Sequence, residues 1–316
     1  MPLTQLNFQP GIDTENTPTG AEGRWIDCDK IRFRKGLPQK IGGWTRFSSE
    51  YYVGVGRALE QWFSLNGSRY EALGTDRKIY VYQSGDNQDI TPIRSTEALV
   101  NAITTTNTSN VVTITDTSHG ALQGDFVTLS SVSTDVGGIP AATLDAEYEI
   151  LSIANANAYT IKSSATATST VGPTANCTVN YQLNIGPSIQ TFGYGWGAGT
   201  WSAGTWGTPR TTSQIILDAR LWSINNWGED LIITQKDGGT YEWDTSLGMT
   251  DNRATVVANA PTTSTLSMIS TETRHVVCMG TETAIANTAT QDKMFIRWSD
   301  QENYNQWTPN VTNSAG

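Results

Sequence analysis

No window of ten or more residues along this chain carries an apolar stripe at helical period, so almost no helix is expected. Short apolar runs, broken by Gly, Asn, Asp and Pro, recur instead. Between residues 53 and 96 the runs 59–65, 69–74 and 78–82 are separated by Asn66-Gly67 and Thr75-Asp76. Asn-Gly between two apolar runs is the strongest short-range hairpin signal. Further strands are expected at 111–116, 125–129, 147–153, 159–163 and 177–183. A last series is expected at 215–223, 230–235, 240–244, 265–270, 275–280 and 293–299.

Four regions follow. Residues 1–48 form a turn-rich N-terminal arm with the first strand-like stretch, 25–33, which ends at Gly36 and Pro38. Residues 49–97 begin the body. Residues 98–182 differ in character, since Thr, Ser and Ala dominate, tryptophan disappears, and six acidic residues face one Lys. Strands about every ten residues there suggest a small β-sandwich or Ig-like domain inserted into a surface loop. Residues 183–316 return to the Trp- and Gly-rich pattern of the body and are expected to continue beyond 316.

The flanks carry a repeat. Tyr70-Glu-Ala-Leu-Gly-Thr-Asp-Arg-Lys-Ile-Tyr-Val-Tyr is an apolar strand, a polar tight turn and a strand ending in aromatics. The segments opening at Asp230 and, through a longer loop, at His275 have the same grammar. Such repeats are common in β-propeller blades. An all-β, incomplete or partly covered propeller-like body is therefore expected. An unclosed sandwich or meander of hairpins is the alternative. Three repeats cannot close a ring of four or more blades. Either sequence beyond 316 completes it, the preferred reading, or partners cover its edges.

Composition sharpens this picture. Only 16% of residues are charged, against roughly 25% in an average domain. The net charge is −10, so any DNA contact must be local, because DNA binding relies on Lys and Arg displacing the counterions of the phosphates. Cys28, Cys177 and Cys278 are odd in number, far apart and without CxxC spacing. Reduced thiols in a protein made in the cytoplasm fit better than a disulfide framework or a zinc site. The opening MPLTQLNFQPG has no basic and apolar signal-peptide regions, and no apolar run reaches the roughly 20 residues of a membrane span.

Candidate chemistry is sparse, and neither a cofactor nor an enzymatic activity is expected. His119 and His275 read as ordinary turn and strand-end residues. No HExxH, Gly-x-Ser-x-Gly or phosphate-loop motif occurs. Glu147 and Glu149 share a strand face but read as solvated edge charges. Asp125, Asp135, Asp145 and Glu147 lack calcium-loop spacing and read as solubility and edge protection. Two features remain. Lys30, Arg32 and Arg34 alternate with Ile31 and Phe33, and Lys35 follows, giving one basic face suited to phosphates. A solvated or salt-bridged strand face is the plainer reading. Trp196, Trp201 and Trp206 recur every five residues among glycines, as a structural loop, an intersubunit contact or a glycan platform would require.

Several segments resemble a known family. WIDCDKIRFRKGLPQKIGGW, GYGWGAGTW with GTWG, LDARLWSINNWGEDLIIT with YEWD, and FIRWSDQENYNQWTP are similar to stretches of tail nozzle or packaged-DNA-stabilisation (head-to-tail connector) proteins of short-tailed bacteriophages. The resemblance covers the flanks, while 98–182 resembles the small β modules common in phage structural proteins. It implies a virion subunit of the tail, a homo-oligomeric ring of six copies below portal and adaptor, neighbouring fibre or spike proteins, and a channel that DNA crosses. The other expected function is a receptor- or glycan-binding tail module that reads through the Trp tract or the inserted region. A depolymerase is disfavoured because no convincing acid pair is present.

Overall fold

The computed structural model describes residues 9–43, 45–46, 48, 50–186, 219–250 and 252–316. The chain divides into two units, Met1–Ser49 and Glu50–Gly316.

The first unit holds one hairpin, β1 (Ile31–Arg34) and β2 (Leu37–Lys40). Lys35 and Gly36, with φ of 49° and 76°, form the two-residue turn whose twist matches a hairpin. Pro38 does not end the strand, as its residue type suggested: it sits inside β2 opposite Phe33. A two-stranded sheet consists only of edges, where a missing N–H is tolerated.

The second unit is all-β apart from one turn of α-helix and short 3-10 turns among the described residues. Its first sheet is an antiparallel meander of β3 (Gly56–Phe63), β4 (Arg69–Thr75), β5 (Ile79–Gln83) and β6 (Asp86–Asp89). The Asn66-Gly67 turn joins β3 to β4, with Gly67 at φ 83°.

A second group of strands follows: β7 (Ile93–Leu99), β8 (Ile103–Thr105), β9 (Val111–Thr115), β10 (Phe126–Ser130), the one-turn α1 (Ala141–Leu144), β11 (Glu147–Asn155), β12 (Ala158–Lys162), β13 (Val171–Thr174) and β14 (Cys177–Gln182). They order as β13-β8-β9-β12-β11-β10-β14-β7. β11 pairs with β10 through its first residues and with β12 through its later ones, bending at register shifts after Ile150 and Ile153. The sheet thereby wraps around its own core, which includes Ile103, Ile114, Leu129, Leu144, Ile150, Ile161 and Val179. Entry and exit lie side by side, since Ile93 is opposite Gln182 and Leu183 N donates to Pro92 O at 3.0 Å. An insertion with adjacent ends leaves its host sheets undisturbed.

Two further meanders complete the body. The first is β15 (Trp222–Trp227), β16 (Asp230–Gln235), β17 (Thr240–Trp243) and β18 (Thr255–Val256). The second is β19 (Leu266–Ile269), β20 (Val276–Met279) and β21 (Ile296–Trp298). β15 starts at Trp222 and runs to Trp227, later than the expected 215–223, whose residues 215–218 lie outside the described set. Asn225 and Asn226 interrupt the apolar signal, but the ladder to β16 carries the strand through them.

The three meanders stack as blades of a partial propeller, and no closed barrel forms among the described residues. Their first strands are neighbours in order, with β15 against β3 on one side and β19 on the other. The middle blade is buried on both faces. Leu231 and Ile233 of β16 pack toward the first blade with Trp62, Tyr70, Ile79 and Val81, while Ile232 packs toward the third with Val276 and Cys278. Alternate residues of one strand thus serve two cores. Trp222 seals the first joint: its indole donates to Thr75 O at 2.6 Å and lies on Gly74, where an added Cβ would come within 2.7 Å of the ring. That close approach explains the glycine.

Candidate functional site

The basic hairpin has the clearest functional character. Residues 30–46 hold six Lys or Arg (Lys30, Arg32, Arg34, Lys35, Lys40 and Arg46) and no acid, in a chain whose net charge is −10. Register places Arg32 beside Gln39 and Arg34 beside Leu37 on one face, with Ile31, Phe33, Pro38 and Lys40 on the other. Arg32 and Arg34 are exposed, with Cα atoms about 7 Å apart at strand rise. The apolar face is anchored by Phe33, whose ring meets Trp25 edge-on at 6.3 Å.

Lys30 departs from the expected alternation. Its φ of 59° takes it out of the strand, its amine lies 3.4 Å from Asp29, and it flanks the face together with Lys35 in the turn. The sequence pattern counted Lys30 as a third step of the ladder, but a left-handed residue cannot continue an extended strand. Arg32 is part-engaged: its Nε donates to Gln39 Oε1 at 3.1 Å. A guanidinium keeps further donors for a phosphate after one such bond. The hairpin therefore presents two forked donors and two flanking ammonium groups to solvent.

Trp196, Trp201 and Trp206 lie outside the described residues.

Of the six acidic residues of the insertion, Asp135, Asp145, Glu147 and Glu149 are exposed, as expected, whereas Asp116 and Asp125 are buried, and the two glutamates also meet cations of the blades. Glu147 meets Lys78 and lies 3.5 Å from Arg253, and Gln182 donates to its other oxygen at 2.5 Å. Lys78, only 4% exposed in its side chain, also donates to Asp89 at 2.8 Å and sits 4.2 Å from the centroid of Phe126. Burial alone would raise the Asp89 carboxyl, but Lys78, Arg253 and the donors around it outweigh burial and hold it below its ordinary value. Glu149 pairs with Arg77 at 2.6 Å. These contacts join the first blade, the middle blade and the insertion at one point.

Asp125, by contrast, is buried, accepting from Leu122 N, Ile185 N and Asn184 Nδ2 at 2.7–2.9 Å, and burial raises its carboxyl. Strand position alone did not reveal these partners, because the cations and amides come from distant blades and loops. His119 is a buried turn residue whose Nδ1 accepts from Ala121 N at 3.0 Å. His275 places Nδ1 2.8 Å from Ser299 O.

The insertion also buries a phenol pair. Tyr181 donates to Asp116 at 2.5 Å and lies 3.2 Å from the Tyr159 hydroxyl; burial pushes both phenols up. With its hydroxyls locked among carboxylate, phenol and apolar neighbours, the pair stabilises the core. Among the described residues no group of three or more His, Cys, Asp or Glu is placed to hold a metal ion. No helix among them is long and apolar enough to cross a membrane.

No protein-family model matches the chain, and no curated protein matches it. Among solved structures it is similar to phage phi92 endosialidase at 12% identity and a TM-score of 0.25, over 83% of this chain and 38% of that one. The chain thus spans well under half of that protein's length, and a TM-score of this size carries no argument about function.

Proposed function

We propose that the chain is a structural subunit of a bacteriophage tail, located in the virion, that assembles with its own copies into a ring through which DNA passes. It carries out no catalytic step. The reading follows the tail nozzle and packaged-DNA-stabilisation proteins that its flanks resemble. Portal, adaptor and fibre or spike proteins are the neighbours that resemblance implies. The observation that carries the reading is the acid-free cationic hairpin of residues 30–46 on an otherwise acidic chain. Local phosphate contact with weak overall attraction suits a wall along which DNA slides, because a strongly basic channel would hold it.

The segments of resemblance support the reading through what they build. WIDCDKIRFRKGLPQKIGGW supplies β1 and β2, LDARLWSINNWGEDLIIT supplies β15 and most of β16, and FIRWSDQENYNQWTP supplies β21 and the fully buried Trp307.

The test is the salt dependence of duplex DNA binding by wild type and by the Arg32→Ala/Arg34→Ala double variant. Each lost phosphate contact lowers the log–log slope by about 0.9, so the double variant is expected to lose about two units. An unchanged slope refutes the role of the hairpin. Native mass and a glycan array test the rest. A monomer or trimer that binds sugars indicates the receptor-binding module instead.

A further inference from the structure

The hairpin of β1 and β2 is a ribbon of two strands, and no third strand pairs with either edge among the described residues. Ile41 N donates to Lys30 O at 2.8 Å and closes its base, while Lys35 and Gly36 turn its tip. One face is taken in part: Ile31 and Phe33 are half-buried, and Phe33 meets Trp25. The other face, made of Arg32, Arg34, Leu37 and Gln39, is exposed throughout.

Width decides what such a ribbon can enter. Strands lie about 4.8 Å apart, so two are about 10 Å across and three about 15 Å. The major groove of duplex DNA is about 12 Å wide and admits a two-stranded ribbon, whereas the minor groove, about 6 Å wide, is too narrow.

The residue types on the free face match the base edges in that groove. A guanidinium meets O6 and N7 of guanine with two parallel bonds, a side-chain amide meets adenine, and an apolar side chain meets the thymine methyl. The face supplies two guanidinium groups, the Gln39 amide and Leu37, which is 70% exposed. Leu37 offers nothing to a phosphate. The bond from Arg32 Nε to Gln39 Oε1 holds that guanidinium in place and leaves both Nη groups to a ligand. The roughly 7 Å between Arg32 and Arg34 equals about two base steps of 3.4 Å. Lys30 and Lys35, at the two ends of β1, supply charge for flanking phosphates.

We infer that this ribbon seats in the major groove of duplex DNA, with Arg32 reading guanine edges and Arg34 and Leu37 beside it. The inference rests on the DNA-contact reading above and names what is met there: base edges as well as phosphates. It gives guanine-containing duplex an advantage that a purely cationic wall lacks.

The test uses the full chain and a duplex in which 7-deazaguanine replaces guanine, which removes the N7 acceptor and leaves every phosphate in place. Fluorescence anisotropy compares it with the unmodified duplex. Wild type is expected to bind the modified duplex about fivefold or more weakly, with an unchanged salt slope. Arg32→Ala is expected to bind the two alike. Methyl green, which occupies the major groove, is expected to displace the protein, and netropsin, which occupies the minor groove, is not. If wild type binds both duplexes equally while Arg32→Ala/Arg34→Ala still lowers the salt slope, the groove is refuted and the DNA-contact reading stands. Displacement by netropsin and not by methyl green refutes the groove as well. A preference for guanine that survives Arg32→Ala refutes the role of Arg32. Failure to bind either duplex at about 50 mM salt refutes both readings.

Discussion

Replacing Lys78 by Met tests the junction between insertion and body most directly. Lys78 stands in the turn between β4 and β5, 4% exposed in its side chain, between Asp89 of the body and Glu147 of the insertion. Met keeps most of the buried stem but removes the charge. Two carboxylates then face each other with Arg253, 3.4 and 3.5 Å away, as the remaining cation. Breaking a buried pair by removing one partner costs about 3–5 kcal/mol. Arg253 offsets part of that, and Glu147 is a third exposed, so a loss of about 3 kcal/mol at pH 7 is expected.

The pH dependence carries the sign. In wild type the Asp89 carboxyl lies below its ordinary value, so its contribution is full above the unfolded pKa and is lost as pH falls through the folded one. Without Lys78 that advantage is gone, and protonating a carboxylate relieves the repulsion. The gap between variant and wild type should therefore shrink as pH falls from 7 toward 4. Urea unfolding followed by tryptophan fluorescence and by far-ultraviolet dichroism measures it. The insertion has no Trp, so a fluorescence transition that parts from the dichroism one in Lys78→Met would show insertion and body uncoupled. A loss under about 1 kcal/mol at pH 7, or a gap that widens in acid, would refute the argument.

Three other outcomes are expected. Gly74→Ala forces Trp222 off the first blade and should cost about 2–3 kcal/mol in urea unfolding, with a red-shifted tryptophan emission; an unshifted spectrum contradicts the packing. Glu282 is fully buried, and four donors from Thr262, Thr263 and Ala286 outweigh its burial and lower its carboxyl. Its stabilisation is thus present above the unfolded carboxylate value and lost as pH falls through the folded one. Glu282→Gln should flatten the acid limb of the stability curve; an unchanged limb in urea unfolding across pH 3–7 contradicts the assignment. In native thiol titration, Cys28 should react fast while Cys177 and Cys278, each buried and pushed up to about 11, react only on unfolding; three fast thiols would disprove their burial.

The repeats were legible in the sequence because each is an apolar strand, a tight turn and an apolar strand. Asp230–Gln235 is a strand over the residues its apolar run predicts, and the segments at Tyr70 and His275 give the middle strands of the other two blades. The edges were hidden. β6 is Asp-Asn-Gln-Asp, which has no strand signal, and it forms because the left-handed Ser84 and Gly85 turn it back onto β5. β7, Ile-Arg-Ser-Thr-Glu-Ala-Leu, begins before the change of composition at 98 and is held by its ladder to β14. At the candidate site, residue types disclosed the basic face of Arg32 and Arg34. Only dihedral angles showed that Lys30 leaves it.

The same contrast explains why the sequence misplaced Asp125 and hid the partners of Glu147. Composition reports how many charges a segment has, and solvation is the default for a charge on a β surface. Asp125 escapes that default, and the exposed Glu147 gains cationic partners, because the insertion emerges between two blades, where the chain brings Lys78, Arg253 and the 184–186 segment against it. A freely swinging decoration would gain nothing from burying Asp125 or placing Glu147 against two cations, since a buried carboxylate without a partner costs several kcal/mol. Their pairing therefore argues for an insertion held at a set angle to the blades. With Lys78 and Arg77 in the first blade's β4–β5 turn and Arg253 at the edge of the second, the clasp also ties those two blades together.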